Sequence, residues 1–150
     1  MNIIKGDLIK LAKEREFDVI LHGCNCFNVM GAGIARQIAK EFPEAYAIDK
    51  MTCKGDVYKL GYLTSATLFV NKQPLTICNL YTQYRSGNNF DEASLEGCLD
   101  KVRKWFYNQR IGYPKIGCGI GGGDWERVKY IFDYKLRGMD HTLVEYEGTQ

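Results

Sequence analysis

With 150 residues, 45% apolar and 25% charged side chains and a net charge of +2, the chain is sized and balanced for one globular domain whose core needs no disulfides. So small a charge gives no polyanion-binding character, so nucleic acid is not an expected partner, and no apolar run approaches a membrane span. Met1 to Asp7 lacks a basic segment followed by a long apolar stretch, and none of the six cysteines forms a C-x-x-C pair; a cytoplasmic protein with reduced thiols is expected.

Asn2 to Lys5 reads as a short strand. Gly6-Asp7 then opens a helix, because Leu8, Leu11 and Ala12 share one stripe. Asp18 to His22 is apolar without polar alternation, the pattern of a strand buried on both faces. Ile34, Ile38 and Phe42 recur at helical spacing, and Pro43 starts a second helix carrying Ala45, Tyr46 and Met51. Leu63 to Val70 and Leu75 to Leu80 are predicted strands, joined as a hairpin through Asn71-Lys72-Gln73-Pro74. A polar loop from Tyr81 to Phe90 leads to a long helix from Asp91, with Leu95, Leu99, Val102 and Phe106 on one stripe. Ile111 to Ile116 and Thr142 to Tyr146 are predicted strands, separated by a helix from Asp124 to about Leu136. Strands alternating with helices predict an α/β fold with a sheet covered on both faces, and the hairpin makes that sheet mixed.

Two glycine-rich loops, His22 to Ala35 and Pro114 to Trp125, each lie between a strand and a helix. Unpaired N–H groups at a helix start attract an anion, and glycine lets a phosphate approach the backbone, so two such loops suit a diphosphate gripped from both sides. Both loops leave strands at their carboxyl ends, as do Gly6-Asp7-Leu8 and the loop from Tyr81, and ligands of such sheets sit there. Gly117, Gly119 and Gly122 spell G-x-G-x-x-G, but only a terminal strand follows, so the second half of a dinucleotide fold is missing. His22, Cys24 and Cys26 alternate without an evident fourth zinc ligand, and no metal site is expected.

In Gly6-Asp7-Leu8, in Val19 to Asn25 leading to Met30-Gly31-Ala32-Gly33-Ile34-Ala35, and in Pro114-Lys115-Ile116-Gly117-Cys118-Gly119-Ile120, the sequence resembles the macrodomains, which bind ADP-ribose. The likeness extends to the order of elements along nearly the whole chain. It implies a three-layer α/β/α sandwich around a mixed central sheet, one domain over residues 1–150, ADP-ribose as ligand and no cofactor. His22-Gly23-Cys24-Asn25 and Gly119-Ile120-Gly121-Gly122-Gly123-Asp124-Trp125 are most similar to the branch of ADP-ribose 1″-phosphate phosphatases, which implies ADP-ribose 1″-phosphate as substrate. A related branch removes ADP-ribose from modified proteins or nucleic acids. It uses a lysine in the loop matching Thr82-Gln83-Tyr84-Arg85 and an aspartate after the second loop's apolar residue, where this chain has Gln83 and Gly121. A non-catalytic ADP-ribose reader is the third reading. Many binding macrodomains cover the distal ribose with an aromatic at the place of Gly121, and its removal is expected to leave room for a terminal phosphate.

The resemblance also assigns roles. Asp7 accepts a hydrogen bond from the adenine amino group beside the Leu8 backbone, or simply caps its helix. Asn25 bonds the distal ribose hydroxyls, or stabilises a turn. Gly31, Ala32, Gly33 and Ile34 form one wall of the diphosphate site; Gly119, Ile120, Gly121 and Gly122 form the other. Tyr146 ends the last strand, where a tyrosine packs against adenine or serves as rim. His22 is the candidate general acid/base, expected at the mouth of the cleft, with a hydrogen-bonded rim histidine as the alternative. Asp124 is a candidate to activate water, orient His22 or form a covalent intermediate, and otherwise an N-cap. No cysteine has an arginine six positions later, no D-x-D pair occurs and only two histidines exist, so a metal-independent reaction is expected.

Overall fold

The computed structural model describes residues 1–147. Six strands, β1 (Asn2–Gly6), β2 (Val19–Cys24), β3 (Leu63–Val70), β4 (Gln73–Tyr81), β5 (Ile111–Tyr113) and β6 (His141–Tyr146), form one sheet in the order β1-β6-β5-β2-β4-β3. Neighbours run parallel except β3 and β4, which pair antiparallel. The helices are α1 (Leu8–Lys13), α2 (Gly33–Glu41), α3 (Pro43–Lys50), α4 (Glu92–Phe106) and α5 (Trp125–Lys135). The expected mixed α/β sandwich is the observed architecture.

Successive side chains of a strand point to opposite faces, and β2 splits its apolar run accordingly. Val19 and Leu21 pack with Cys78 and Leu80 against Leu95 and Leu99 of α4 and Phe132 of α5. Ile20 packs with Ile77 against Ala12 of α1, Ile38 of α2 and Ala45 of α3. Each such fully buried side chain contributes about 1.5–3 kcal/mol of transfer free energy, offset by the entropy of ordering the chain. Gly112 in β5 is needed for this packing, since a Cβ there would lie 2.6 Å from the Phe17 ring. Aspartates cap α1, α4 and α5: Asp7, Asp91 and Asp124 accept from the amides of Lys10, Ser94 and Glu126 at 3.1, 3.2 and 3.0 Å. Each cap satisfies a donor that the helix itself cannot, worth about 1 kcal/mol.

Three expectations need correction. β5 ends at Tyr113 instead of Ile116, because Pro114 has no N–H to continue the ladder. β2 runs on to Cys24, two residues past His22. Met51 falls just after α3, at its C-cap, and is 80% exposed rather than part of the helix's packed stripe.

Candidate ligand-binding site

The chain leaves β2 toward α2 on one face of the sheet, and leaves the adjacent β5 toward α5 on the other. The two loops therefore lead away from each other at the carboxyl ends of the strands, the place where the topology of such sheets sets a ligand crevice. Loop 1 spans residues 25–32 and loop 2 spans 114–124. Beyond β5, Gly6 of β1 and Tyr146 of β6 are register partners, which places Asp7 and the 46%-exposed Tyr146 at the same end of the sheet. Asp7 is the α1 cap, and its neighbour Leu8 has an amide without a partner among the described residues.

The same holds for the amides of Gly31, Ala32, Gly33 and Ile34 in loop 1 and at the head of α2, and of Gly119, Ile120 and Gly121 in loop 2. A Cβ built on Gly33 or Gly119 would meet nothing within 4 Å, so the space in front of both is open. Gly122 differs from its assigned role. Its amide donates to Gly119 O at 3.2 Å, so it turns the loop and does not offer a free N–H. Its φ of +79° and the Asn88 Oδ1 that a Cβ would strike, 1.8 Å away, make glycine obligatory there. Gly121 also serves packing. A Cβ on it would point at Gly117 O, 2.8 Å away, and Gln83 Oε1, 3.1 Å away, so a side chain at 121 would enter the contact between loops. The exposed apolar side chain of loop 2 is Ile120.

Loop 2 rests on the segment after β4. Phe90 donates its amide to Gly121 O at 3.2 Å, and Gln83 folds back to donate to Arg85 O and Gly87 O at 2.8 and 3.1 Å. Asn25 stands between this segment and loop 1: its Nδ2 donates to Val29 O and Ser86 Oγ at 3.1 and 3.2 Å, and its Oδ1 accepts from the Phe27 amide at 2.8 Å. The turn-stabilising role is thus realised. Thr82, fully buried at the end of β4, keeps a hydroxyl without a partner among the described residues; a Cβ on Gly23 would approach it to 3.0 Å. Sequence reasoning assigned Thr82 no role, and equally missed Lys59. Lys59 is 9% exposed and donates to Asn28 Oδ1 and Thr52 Oγ1, both at 2.8 Å, while Thr52 O accepts from Asn28 Nδ2 at 3.0 Å. Tyr46 donates to Asn28 O at 3.2 Å, so loop 1 is anchored from beneath at Asn28, whose φ is +58°.

His22 does not reach the mouth of the crevice. Because β2 extends past it and side chains alternate, the ring is fully buried on the α3 side of the sheet. Its Nε2 lies 2.6 Å from Oδ1 of Asn79, whose Nδ2 donates to Ala45 O and Thr64 Oγ1; the network therefore assigns the proton to Nε2. Desolvation holds its pKa down at about 4, against the pull of the Asn79 bond. A neutral imidazole sealed from solvent is not poised to exchange protons with a ligand, and the structure thereby corrects its expected place as an accessible general acid/base. Asp124 is exposed, capping α5. The cysteines are all unpaired, and burial pushes the Cys118 thiol in loop 2 up to about 11, which disfavours a reactive thiolate.

The model of the Macro domain family matches residues 21–132, which hold both loops, β5 and Leu21 to Cys24 of β2. The chain belongs to the macrodomain family. This macrodomain is 36% identical over 149 residues, covering 96% of the chain and 95% of the relative, to an uncharacterized 17.5 kDa protein of the tk–vs intergenic region of Enterobacteria phage T4. It is 24% identical over 152 residues to an ADP-ribose 1″-phosphate phosphatase of Lodderomyces elongisporus, covering 93% of the chain and 94% of that protein. It is 28% identical over 127 residues to a DNA ADP-ribosyl glycohydrolase of Mycobacterium tuberculosis, covering 83% of the chain but 35% of that longer protein. Among solved structures it shares its fold with Thermosipho africanus DarTG in complex with ADP-ribose, with a TM-score of 0.78 at 20% identity, over 97% of this chain and 41% of that one.

Proposed function

We propose that this macrodomain binds ADP-ribose in the crevice and hydrolyses ADP-ribose 1″-phosphate to ADP-ribose and phosphate. The observation that carries the binding is the pair of free amide sets, Gly31 to Ile34 and Gly119 to Gly121, offered by loops that leave adjacent strands toward opposite faces. They supply donors to a diphosphate without the desolvation cost of buried cations. Asp7 and Tyr146, at the β1/β6 end, suit an adenine: a carboxylate accepts from its amino group and an aromatic face covers its ring. The distal ribose then lies toward Asn25.

The phosphatase reading is supported by the full-length likeness to the Lodderomyces enzyme and by Gln83 and Gly121 at the places where resemblance to the glycohydrolase branch implies a lysine and an aspartate. Of the two candidate catalytic side chains, only Asp124 is open to solvent. As base, its carboxylate takes a proton from the attacking water while the water oxygen bonds phosphorus and the ester P–O bond breaks. The leaving oxygen is protonated from solvent.

The test is phosphate release from ADP-ribose 1″-phosphate in chelator, with ADP-ribose binding followed by calorimetry. Asp124→Asn preserves the helix cap, because asparagine caps as well as aspartate. It is expected to lower kcat by about 10²-fold or more, with ADP-ribose affinity retained. Tight binding with no turnover by the parent protein would make it a reader. Release of ADP-ribose from a modified macromolecule would move it to the glycohydrolases.

A further inference from the structure

Arg85 stands on a built platform beside the distal end of the crevice. Its guanidinium carbon lies 5.0 Å from the centre of the Phe27 ring and 5.4 Å from that of Tyr84, and the two rings meet edge to face at 4.9 Å. The platform is fixed from several sides. The Tyr84 hydroxyl donates to Gly55 O at 2.9 Å, Gly55 N donates to Cys26 O at 2.7 Å and Cys26 N donates to Tyr84 O at 2.9 Å. A Cβ on Gly55 would come within 3.2 Å of the Phe27 ring, so the aromatic edge is packed in place.

The charge on this platform is uncommitted. Arg15 and Arg110 are paired with Asp18, and Arg127 with Glu92, whereas Arg85 is exposed and makes no ion pair or side-chain hydrogen bond among the described residues. It is not needed to hold its own loop, because the loop's contacts use the Arg85 backbone: the carbonyl accepts from Gln83 Nε2 at 2.8 Å. Lying close to the faces of two rings restrains a guanidinium while leaving its N–H fork free for an oxyanion. Asn25 is one residue away by two routes, through Ser86, whose Oγ accepts from Asn25 Nδ2, and through Phe27, whose amide donates to Asn25 Oδ1.

We propose that Arg85 is the specificity-determining residue for a phosphomonoester attached beyond the distal ribose, which distinguishes ADP-ribose 1″-phosphate from ADP-ribose. The inference rests on the reading of the crevice as an ADP-ribose site. A planar, pre-oriented fork bonds two oxygens of a dianionic phosphate at once, and nothing in ADP-ribose itself presents that group at that end.

Calorimetric titration with ADP-ribose and with ADP-ribose 1″-phosphate tests this in the Asp124→Asn background, where the phosphorylated ligand is not consumed; that protein serves as the parent, and Arg85→Gln and Arg85→Lys are made in it. The parent is expected to prefer the phosphorylated ligand. Arg85→Gln should weaken its binding about tenfold and change that of ADP-ribose by less than about twofold; Arg85→Lys, which keeps charge but loses the fork, should fall between. The parent's preference should also shrink as salt is raised, since the contact is exposed. Equal losses for both ligands, or no change for either, would overturn the role of Arg85 while leaving the ADP-ribose site standing. Failure of the parent to bind either ligand would overturn both.

Discussion

Protonating His22 inside the fold would place a charge between β2 and α3 with Asn79 as its only hydrogen-bond partner among the described residues apart from the thiol of Cys24. The pKa falls from 6.5 in the unfolded chain to about 4 in the folded one, chiefly through desolvation. Above pH 6.5 the ring is neutral in both states and costs nothing. Between 6.5 and 4 the unfolded state takes the proton and the folded state does not, so stability falls with pH, by about 3 kcal/mol in all, and levels off below. His141, also depressed by desolvation, acts in the same direction. Urea unfolding from pH 7.5 to 4.5 should therefore show a falling midpoint, and His22→Gln should flatten that slope while His141 retains its share. An unchanged slope in the variant would show that His22 is not the buried neutral group described. The residue type was legible as chemically capable, but its place was not. A strand two residues longer than the apolar run suggested moves its carboxyl end past His22 and leaves the ring in the layer between β2 and α3, and chemical type alone does not tell where a strand ends.

Loop 1 is an element whose shape is imposed from outside it. Its glycines were readable, because open backbone beside a helix start is written in the local sequence. Its anchor was not, since Lys59 reaches Asn28 from a separate short helical turn, Val57–Lys59, and only the fold brings them together. Lys59 also lies over the Tyr81 ring, 5.3 Å from its centre, so its ammonium is held by two side-chain oxygens and an aromatic face. Lys59→Met keeps the aliphatic stem but leaves Asn28 Oδ1 with Thr52 alone. The variant loses both charge-assisted bonds of the ammonium, each worth about 1.5–3 kcal/mol, offset in part by removing a charge from a buried position, and the cost is shared between global stability and the order of loop 1. ADP-ribose affinity is expected to fall about tenfold, with the global unfolding midpoint lowered but the transition still cooperative. Affinity at the parent level in a destabilised variant would confine Lys59 to the core. The hairpin between β3 and β4 is the opposite case: it was visible from its residues and the strands beside it, although the turn is Asn71 and Lys72 alone, with φ of +51° and +67°, and Gln73 and Pro74 belong to β4.

At the scale of the molecule, the site exists because β2 and β5 are neighbours whose following helices cover opposite faces. The alternation of strands and helices made the covered sheet legible, and the hairpin correctly made it mixed. Strand order, which decides that the two glycine loops face one crevice, has no local signature in the chain. A ligand spanning that crevice must touch both sides of the sandwich at once. ADP-ribose at about 100 times its Kd should stabilise the fold by about 2.7 kcal/mol, and the protection should be spatially divided. Amide hydrogen exchange should slow at Gly31 to Ile34 and at Gly119 to Gly121 together, and at Leu8, whereas AMP, having one phosphate, should protect Leu8 and at most one loop. The hairpin at Asn71 and Lys72, far along the sheet at its β3 edge, serves as the internal reference and should be unaffected by either ligand. Protection of a single loop by ADP-ribose would mean that the second loop is built for packing against Phe90 and Asn88 rather than for the diphosphate, and the two-sided grip would have to be abandoned.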